Sequence, residues 1–311
     1  MPREMRLKLI IAFACVYVIW GSTYLGIRIA IETIPPFLMA GARFVVAGGI
    51  LLAFARLRGA AWPTASEWKV AAVVGTLMLV GGNGGVVWAE QTVPSSLAAL
   101  IVAAVPIVTV ALEWVRPGGT RPGRATILGL VTGFAGVAIL VNPFATDAAR
   151  VDPVGALALM AATVTWAAGS IYGKGRGARN PIMGSGANML MGGIGLFLGA
   201  LLLGEVPQLH LAAISTRSAI ALVYLVLIGA VVGFTAFFYV MQNTTPARAT
   251  TYAYVNPVVA LILGWAILDE PLTPRILLAT VVIIAGVVMI TALPHLRGWY
   301  LSRRTMVHAG D

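Results

Sequence analysis

Gln91-Thr-Val-Pro-Ser-Ser-Leu-Ala-Ala-Leu-Ile-Val-Ala-Ala-Val-Pro106 and Gln242-Asn-Thr-Thr-Pro-Ala-Arg-Ala-Thr-Thr-Tyr-Ala-Tyr-Val-Asn-Pro257 are two versions of one stretch. Glutamine falls on glutamine and the closing proline on proline at a constant offset of 151 residues, with small residues at matching early positions. A period of that length divides the chain into two related halves.

Outside these stretches the chain is strongly apolar. With 59% hydrophobic residues, 10% charged residues and a mean hydropathy of +0.92, the 311 residues exclude a soluble domain and describe an integral membrane protein. The lone cysteine, Cys15, lies in an apolar run, so disulfides and cysteine metal sites do not organise the fold. The net charge of +10 would suggest nucleic acid in a soluble protein, but here the basic residues cluster between apolar runs, which is a topology signal. Arg3, Arg6 and Lys8 precede an apolar run that continues to Ile31. That is longer than the roughly 7 to 15 residues of a signal-peptide core, so it reads as a first spanning helix.

About 20 apolar residues cross a bilayer as a helix. Ten segments of that kind are expected: Leu7 to Ile31, Phe37 to Phe54, Val70 to Gln91, Ser95 to Val115, Ala125 to Val141, Val154 to Tyr172, Ile182 to Leu203, Ser218 to Asn243, Ala247 to Leu268 and Ile276 to Leu293. Prolines such as Pro35, Pro36, Pro94, Pro153, Pro181 and Pro271 punctuate the short connections. Most of the basic residues, among them Arg56, Arg58, Lys69, Arg116, Arg121, Arg124, Lys174, Arg176 and Arg179, share one side if the N-terminus is cytoplasmic, which predicts both termini inside. Five helices per half is an odd number, so the second half must enter the membrane upside down. The loop charges flip accordingly: Arg116, Arg121 and Arg124 follow the fourth segment, whereas Asp269, Glu270 and Arg275 follow the ninth. The expected architecture is all-α, two inverted-topology five-helix halves over 1–145 and 150–295, with a cytoplasmic tail over 296–311.

Trp20-Gly21-Ser22, Ala42-Arg43-Phe44, the run Ser96 to Leu100 through Pro106, and Gly133 to Ala138 resemble the EamA-type transporters of the drug/metabolite transporter superfamily. So do Pro257 through Gly264-Trp265, Asp269-Glu270-Pro271-Leu272-Thr273 and Ala285-Gly286-Val287; Glu113-Trp114-Val115-Arg116-Pro117 departs from the usual pattern. The resemblance covers about residues 10 to 293. It implies a central cavity and export of small metabolites, often amino acids, across a bacterial cytoplasmic (inner) membrane, with the aromatic amino-acid exporters as the nearest likeness.

The residues themselves suggest where a substrate would sit. Tyr17, Trp20, Tyr24 and Arg28 recur at helical spacing on one face of the first segment, and Thr163, Trp166 and Ser170 do so on the sixth. Such aromatic and hydroxyl faces line a cavity or pack helices. Gly81-Gly82-Asn83-Gly84-Gly85 permits close helix approach or local unwinding, with Asn83 and Glu90 on one face and Trp88 between them. Asn83 either contacts substrate or is satisfied by another helix. Tyr239, Tyr252 and Asn256 make the second half the more polar one, as substrate contacts or as interhelical hydrogen bonds. The cavity candidates are thus Trp20, Tyr24, Asn83, Trp88, Trp166, Ser170, Tyr239, Tyr252 and Asn256. Pro106 and Pro257, inside their helices, favour kinks that could serve as gates. Arg43 and Glu90 join them as gating candidates: a charge inside a membrane usually marks function. Arg43 could attract a substrate carboxylate or pair with Glu32 or Glu90, while Glu113 is expected to pair with Arg116 three residues on.

No histidine lies in a span and no phosphate-binding Gly-x-x-x-x-Gly-Lys-Ser/Thr occurs. The reading is therefore a secondary transporter, not an enzyme, with no catalytic set, no metal and no cofactor. Its partners are a small-molecule substrate and the lipid bilayer, not nucleic acid. An antiporter of phosphorylated metabolites or nucleotide sugars, or a multidrug exporter, stands as the alternative.

Overall fold

The structure, a computed structural model, describes residues 3–116, 122–141, 151–243 and 252–291. Arg121, Arg150, Arg248, most of the second repeat stretch, the junction at 145–150 and the tail 296–311 lie outside the described residues. Among the described residues all regular structure is helical. In chain order the helices are α1 (Arg3–Ala30), α2 (Pro36–Leu57), α3 (Ala65–Gly75), α4 (Gly84–Ala89), α5 (Ser95–Val102), α6 (Val105–Val115) and α7 (Arg124–Val141). They continue with α8 (Pro153–Gly173), α9 (Pro181–Leu202), α10 (Thr216–Tyr224), α11 (Gly233–Asn243), α12 (Tyr252–Leu268) and α13 (Pro274–Thr291). Among the described residues seven spans are long and apolar enough to cross a membrane, and three shorter apolar helices, Arg124–Leu140, Val255–Leu268 and Pro274–Met289, accompany them.

Local chemistry starts and stops these helices. Proline opens α2, α8, α9 and α13, where its missing N–H costs nothing. Thr64 and Glu67 form a reciprocal capping box on α3, while Asp152, Asn180 and Ser215 accept the first amides of α8, α9 and α10.

Two π-helical turns interrupt the regular helices. One, Thr76–Asn83, joins α3 to α4; the other, Leu225–Val232, joins α10 to α11. They are equal in length, and each is followed at once by a glycine, Gly84 or Gly233. The glycine run thus coincides in part with a wound but loosened turn rather than an unwound one.

Packing follows a rule of exchange. Helix α2 lies along α9 and α7 along α13 in the two most extensive contacts; α1 packs on α10–α11 and α12, and α8 packs on α3–α4 and α5–α6. Absent side chains let α2 approach α9: a Cβ at Gly48 would stand 2.7 Å from the Leu190 amide and 2.8 Å from the Gly186 carbonyl. Such backbone proximity supplies the dispersion energy that hydrophobicity cannot give between helices in lipid. One continuous buried core runs through both halves, from Ile27 and Phe44 to Ile283 and Val287.

Pro106 departs from expectation. The fourth segment breaks at Ala103–Ala104, where Ala103 and Ala104 donate to Ala99 and Ile101, and Pro106 sits in the first turn of the new helix α6. That position tolerates proline because its N–H would be unused anyway. Pro257 does lie inside its helix, α12.

Candidate functional site

One end of the bundle is tied together by carboxylates. Gly204 ends α9 with positive φ, and the Glu205 amide turns back to the Ala200 carbonyl at 2.9 Å. This Schellman-type end delivers the Glu205 side chain to the N-terminus of α2, where it accepts from the Phe37 and Leu38 amides at 3.1 and 2.9 Å. The end of α12 repeats the device. Asp269 has positive φ, and Glu270 accepts from the Ser95 amide at 2.7 Å, the Ser95 hydroxyl at 2.8 Å and the Ser96 amide at 2.9 Å. Both glutamates are buried and both satisfy amides at a helix N-terminus, where negative charge is favoured. At the same end Arg217 pairs with Glu32 at 3.7 Å, so Glu32 is not the partner of Arg43. Asp152 accepts from the Thr92 hydroxyl at 2.8 Å, and this bond, with the Gly155 and Val154 amides, holds its carboxyl below the usual range.

Arg28 closes the same end from α1. Its guanidinium donates to the Glu90 and Gln91 carbonyls, the latter at 3.1 Å, which answers the orphan carbonyls where α4 stops. Beneath these contacts a cavity of about 500 Å³ is lined by Arg28, Ile31, Glu32, Gln91, Pro94, Leu268 and Glu270.

Three polar side chains of the bundle keep buried atoms without a hydrogen-bond partner among the described residues. Glu90 is fully buried and neither carboxylate oxygen has a hydrogen-bond partner; Arg43, 3% exposed, leaves Nε and Nη1 without one, and the buried Oδ1 of Asn83 has none. No ion pair joins Arg43 to Glu90 among the described residues. The Arg43 guanidinium lies over the Phe44 ring at 4.7 Å, with the second π turn beside it at Gly229. Unmet polar atoms in an apolar interior are costly, so five of them on three residues call for a reason.

The aromatic candidates divide between two neighbourhoods. Trp20 contacts Phe234, Phe237 and Tyr252 at centroid distances of 5.1, 5.0 and 5.1 Å, a cluster built from α1, α11 and α12. The Gly233 backbone admits the indole, since a Cβ there would stand 2.7 Å from Trp20 Nε1. Tyr24, on the next turn of α1, packs like Tyr252 against the main buried core. Trp166 instead packs onto Gly82 of the first π turn, and the Ser170 hydroxyl donates to the Trp166 carbonyl at 2.8 Å.

The remaining candidates lie apart. Asn256, with its amide turned to donate, bridges the Tyr17 and Tyr252 carbonyls at 3.2 Å each, and so braces α12 against α1. Tyr239 borders an apolar groove of about 570 Å³ between α1, α2 and α11. Trp88 is exposed. Glu113 pairs with Lys174 at 3.9 Å rather than with Arg116. Residues not singled out from sequence include Phe234 and Phe237, whose three-residue spacing on α11 was a readable signal. Tyr224 was missed as well; its hydroxyl meets that of Ser22 at 2.5 Å.

A helical membrane bundle with charged groups held in its interior is the build of a transport protein. The EamA-like transporter family is matched twice along the chain, over residues 7–142 and 153–292, and the chain belongs to that family. The inner membrane transporter YedA of Escherichia coli K12, itself uncharacterised, is 39% identical over 282 residues, covering 90% of this chain and 89% of its own. A protein of the same organism named "Probable amino-acid metabolite efflux pump" is 25% identical, covering 87% of this chain and 90% of its own. A solved crystal structure, 21% identical, shares the fold with a TM-score of 0.63 over 92% of this chain and 98% of its own.

Proposed function

We propose that the protein is a secondary transporter that exports small metabolites, amino acids foremost, across a bacterial inner membrane by alternating access. The observation that carries this reading is the set of unspent polar side chains, Arg43, Asn83 and Glu90, enclosed in a bundle with an aromatic cluster at Trp20. Structural polar groups in such a setting pair with one another; groups that wait for a transported molecule do not. The "amino-acid metabolite" relative supports the substrate class.

In this reading the ten segments all cross the membrane, as two inverted five-helix halves over 1–145 and 150–295. The two family matches and the exchange of packing partners between halves support it. The carboxylate-tied end faces outward and both termini are cytoplasmic. The substrate path passes Trp20, Tyr24, Asn83, Trp166, Ser170 and Tyr252. The hairpin around Pro106 gates outside and that around Pro257 gates inside, the latter connection lying partly outside the described residues.

Counterflow in proteoliposomes tests the function. Radiolabelled neutral and aromatic amino acids should exchange against unlabelled substrate, and phosphorylated sugars should not. Exchange of phosphorylated sugars without amino acids would overturn the reading.

A further inference from the structure

We infer that the groove between α1 and α2 is a binding site for an anionic phospholipid, with one acyl chain lying along the groove and the phosphate head group at Lys8 and Arg58. The groove shares no lining residue with the transport path proposed above, and the inference does not depend on what the protein carries.

Helices α1 and α2 both pack on the second π turn, and a groove of about 570 Å³ is left between them, floored by that turn and by α11. Its wall on α1 runs from Lys8 to Cys15, its wall on α2 from Ile50 to Phe54, and its floor from Val231 to Tyr239. The lining is aliphatic and aromatic for most of its length, and the Thr235 hydroxyl that borders it is spent on the Val231 carbonyl at 2.7 Å. Such a lining offers a hydrogen-bonding solute little to hold and suits a hydrocarbon chain. The stretch of α1 from Lys8 to Cys15, at about 1.5 Å per residue, makes the groove about 10 Å long. That is about two-thirds of the hydrocarbon depth of one leaflet, and the groove runs along the helix axes, the direction an acyl chain takes.

Charge gathers at one end of this groove. Lys8 belongs to the lining, and the Arg58 guanidinium lies 5.1 Å from the centre of the Phe54 ring, which belongs to the lining too. Arg6 and Arg56 stand exposed at the same end, where α1 begins and α2 finishes. Lys8 already has a neighbour of opposite sign, Glu4 at 2.6 Å, but both side chains are more than half exposed. An exposed pair four residues apart on a helix contributes little, so a phosphate can take the ammonium from it. Basic side chains at the mouth of an apolar slot between membrane helices are the arrangement that holds an anionic head group. A lipid without net charge gains the slot but not the cations; a free phosphate gains the cations but not the slot. The two together select a negatively charged lipid from the bilayer around the protein.

The test uses the full-length protein in detergent, with phosphatidylglycerol, phosphatidylcholine or glycerol phosphate added and the bound molecules counted by native mass spectrometry. Wild type should retain phosphatidylglycerol in preference to the other two at equal concentration. Lys8→Gln should weaken its binding about fivefold, and the double variant Lys8→Gln with Arg58→Gln about thirtyfold. Glu4→Gln removes the competing carboxylate and should tighten it. Cys15→Phe narrows the slot beneath intact cations and should release the lipid as well. Glu4, Lys8 and Arg58 are exposed, so their variants should keep the wild-type size-exclusion profile; if Cys15→Phe does not, the wild-type comparison and the charge variants still decide. Equal retention of the two lipids, which marks ordinary bilayer cover, retention of neither, or unchanged retention in the double variant would overturn the proposal. So would glycerol phosphate bound as tightly as the lipid, or a dimer of lipid-free protein that Cys15→Phe splits, which would assign the groove to a second copy of this chain.

Discussion

Glu270→Ala should lower thermal stability more than any other single carboxylate replacement at that end of the bundle. Its carboxylate accepts three hydrogen bonds of 2.7 to 2.9 Å from Ser95 and Ser96 and is 8% exposed. Removal leaves two amides at the start of α5 without acceptors. Orphaned buried groups cost about 1–3 kcal/mol each, and the loss of a typical N-cap alone costs about 0.5–2 kcal/mol. A loss of about 4 kcal/mol is therefore expected. In chains of this size each kcal/mol moves Tm by about 2 °C, which gives a fall of about 8 °C. Glu205→Ala removes two bonds rather than three, and its fall should be about 5 °C. Glu270→Gln retains an acceptor but turns an amide donor towards other donors, and should fall between wild type and Glu270→Ala. Size-exclusion chromatography after heating detergent-solubilised protein measures all three. A Glu270→Ala midpoint within about 2 °C of wild type, or a larger loss in Glu205→Ala, would refute the argument that carboxylate caps hold the two halves together.

Other expectations follow from single contacts. Gly264→Ala drives a Cβ into the Glu270 carboxylate, so it should reproduce most of the Glu270→Ala loss without touching a charge, by the same measurement. Gly48→Leu should abolish the folded fraction on size exclusion, because the two nearest atoms facing the new side chain across α2 and α9 are the Leu190 amide and the Gly186 carbonyl, backbone that cannot move aside. The Asp152 carboxyl is held below its ordinary value in the folded state, so its contribution is complete above the unfolded-chain value of about 3.9 and is lost as pH falls through the lower folded value. Asp152→Asn should flatten that part of the acid-denaturation curve, read as Tm against pH. Trp20→Ala removes the hub of three ring contacts and should cut transport about tenfold or more while the protein stays folded; unchanged counterflow would remove the cluster from the path.

Helical class and the apolar segments were legible because hydropathy and proline placement act locally, and the family likeness rested on short strings that the chain carries intact. The polar interior was legible in part. Arg43, Asn83 and Glu90 stand out against hydrocarbon in any reading, but which of them already have partners depends on helices distant in sequence. Glu32 looked available until Arg217, far along the chain, took it, and Glu113 turned to Lys174 instead of its helical neighbour. The caps supplied by Glu205 and Glu270 were hidden for the same reason, since each closes a helix from more than one hundred residues away. Pro106 showed a limit of another kind: proline marks a weak point in a helix, but whether the chain bends or restarts there depends on the turn before it. Asn256 stands four residues from Tyr252, and its amide bridges two carbonyls, as either a brace or a ligand could, so residue type alone does not separate the two.

The π turns carry a mechanical consequence. A π turn holds a surplus residue relative to the α-helix around it, and slipping that surplus past one position turns everything beyond by about 100° and moves it about 1.5 Å along the axis. Beyond Thr76–Asn83 lie α4 and Glu90; beyond Leu225–Val232 lie Gly233, Phe234 and Phe237. Each helix thus contains a screw joint, able to swing a charge or an aromatic ring out of line without unfolding a single turn.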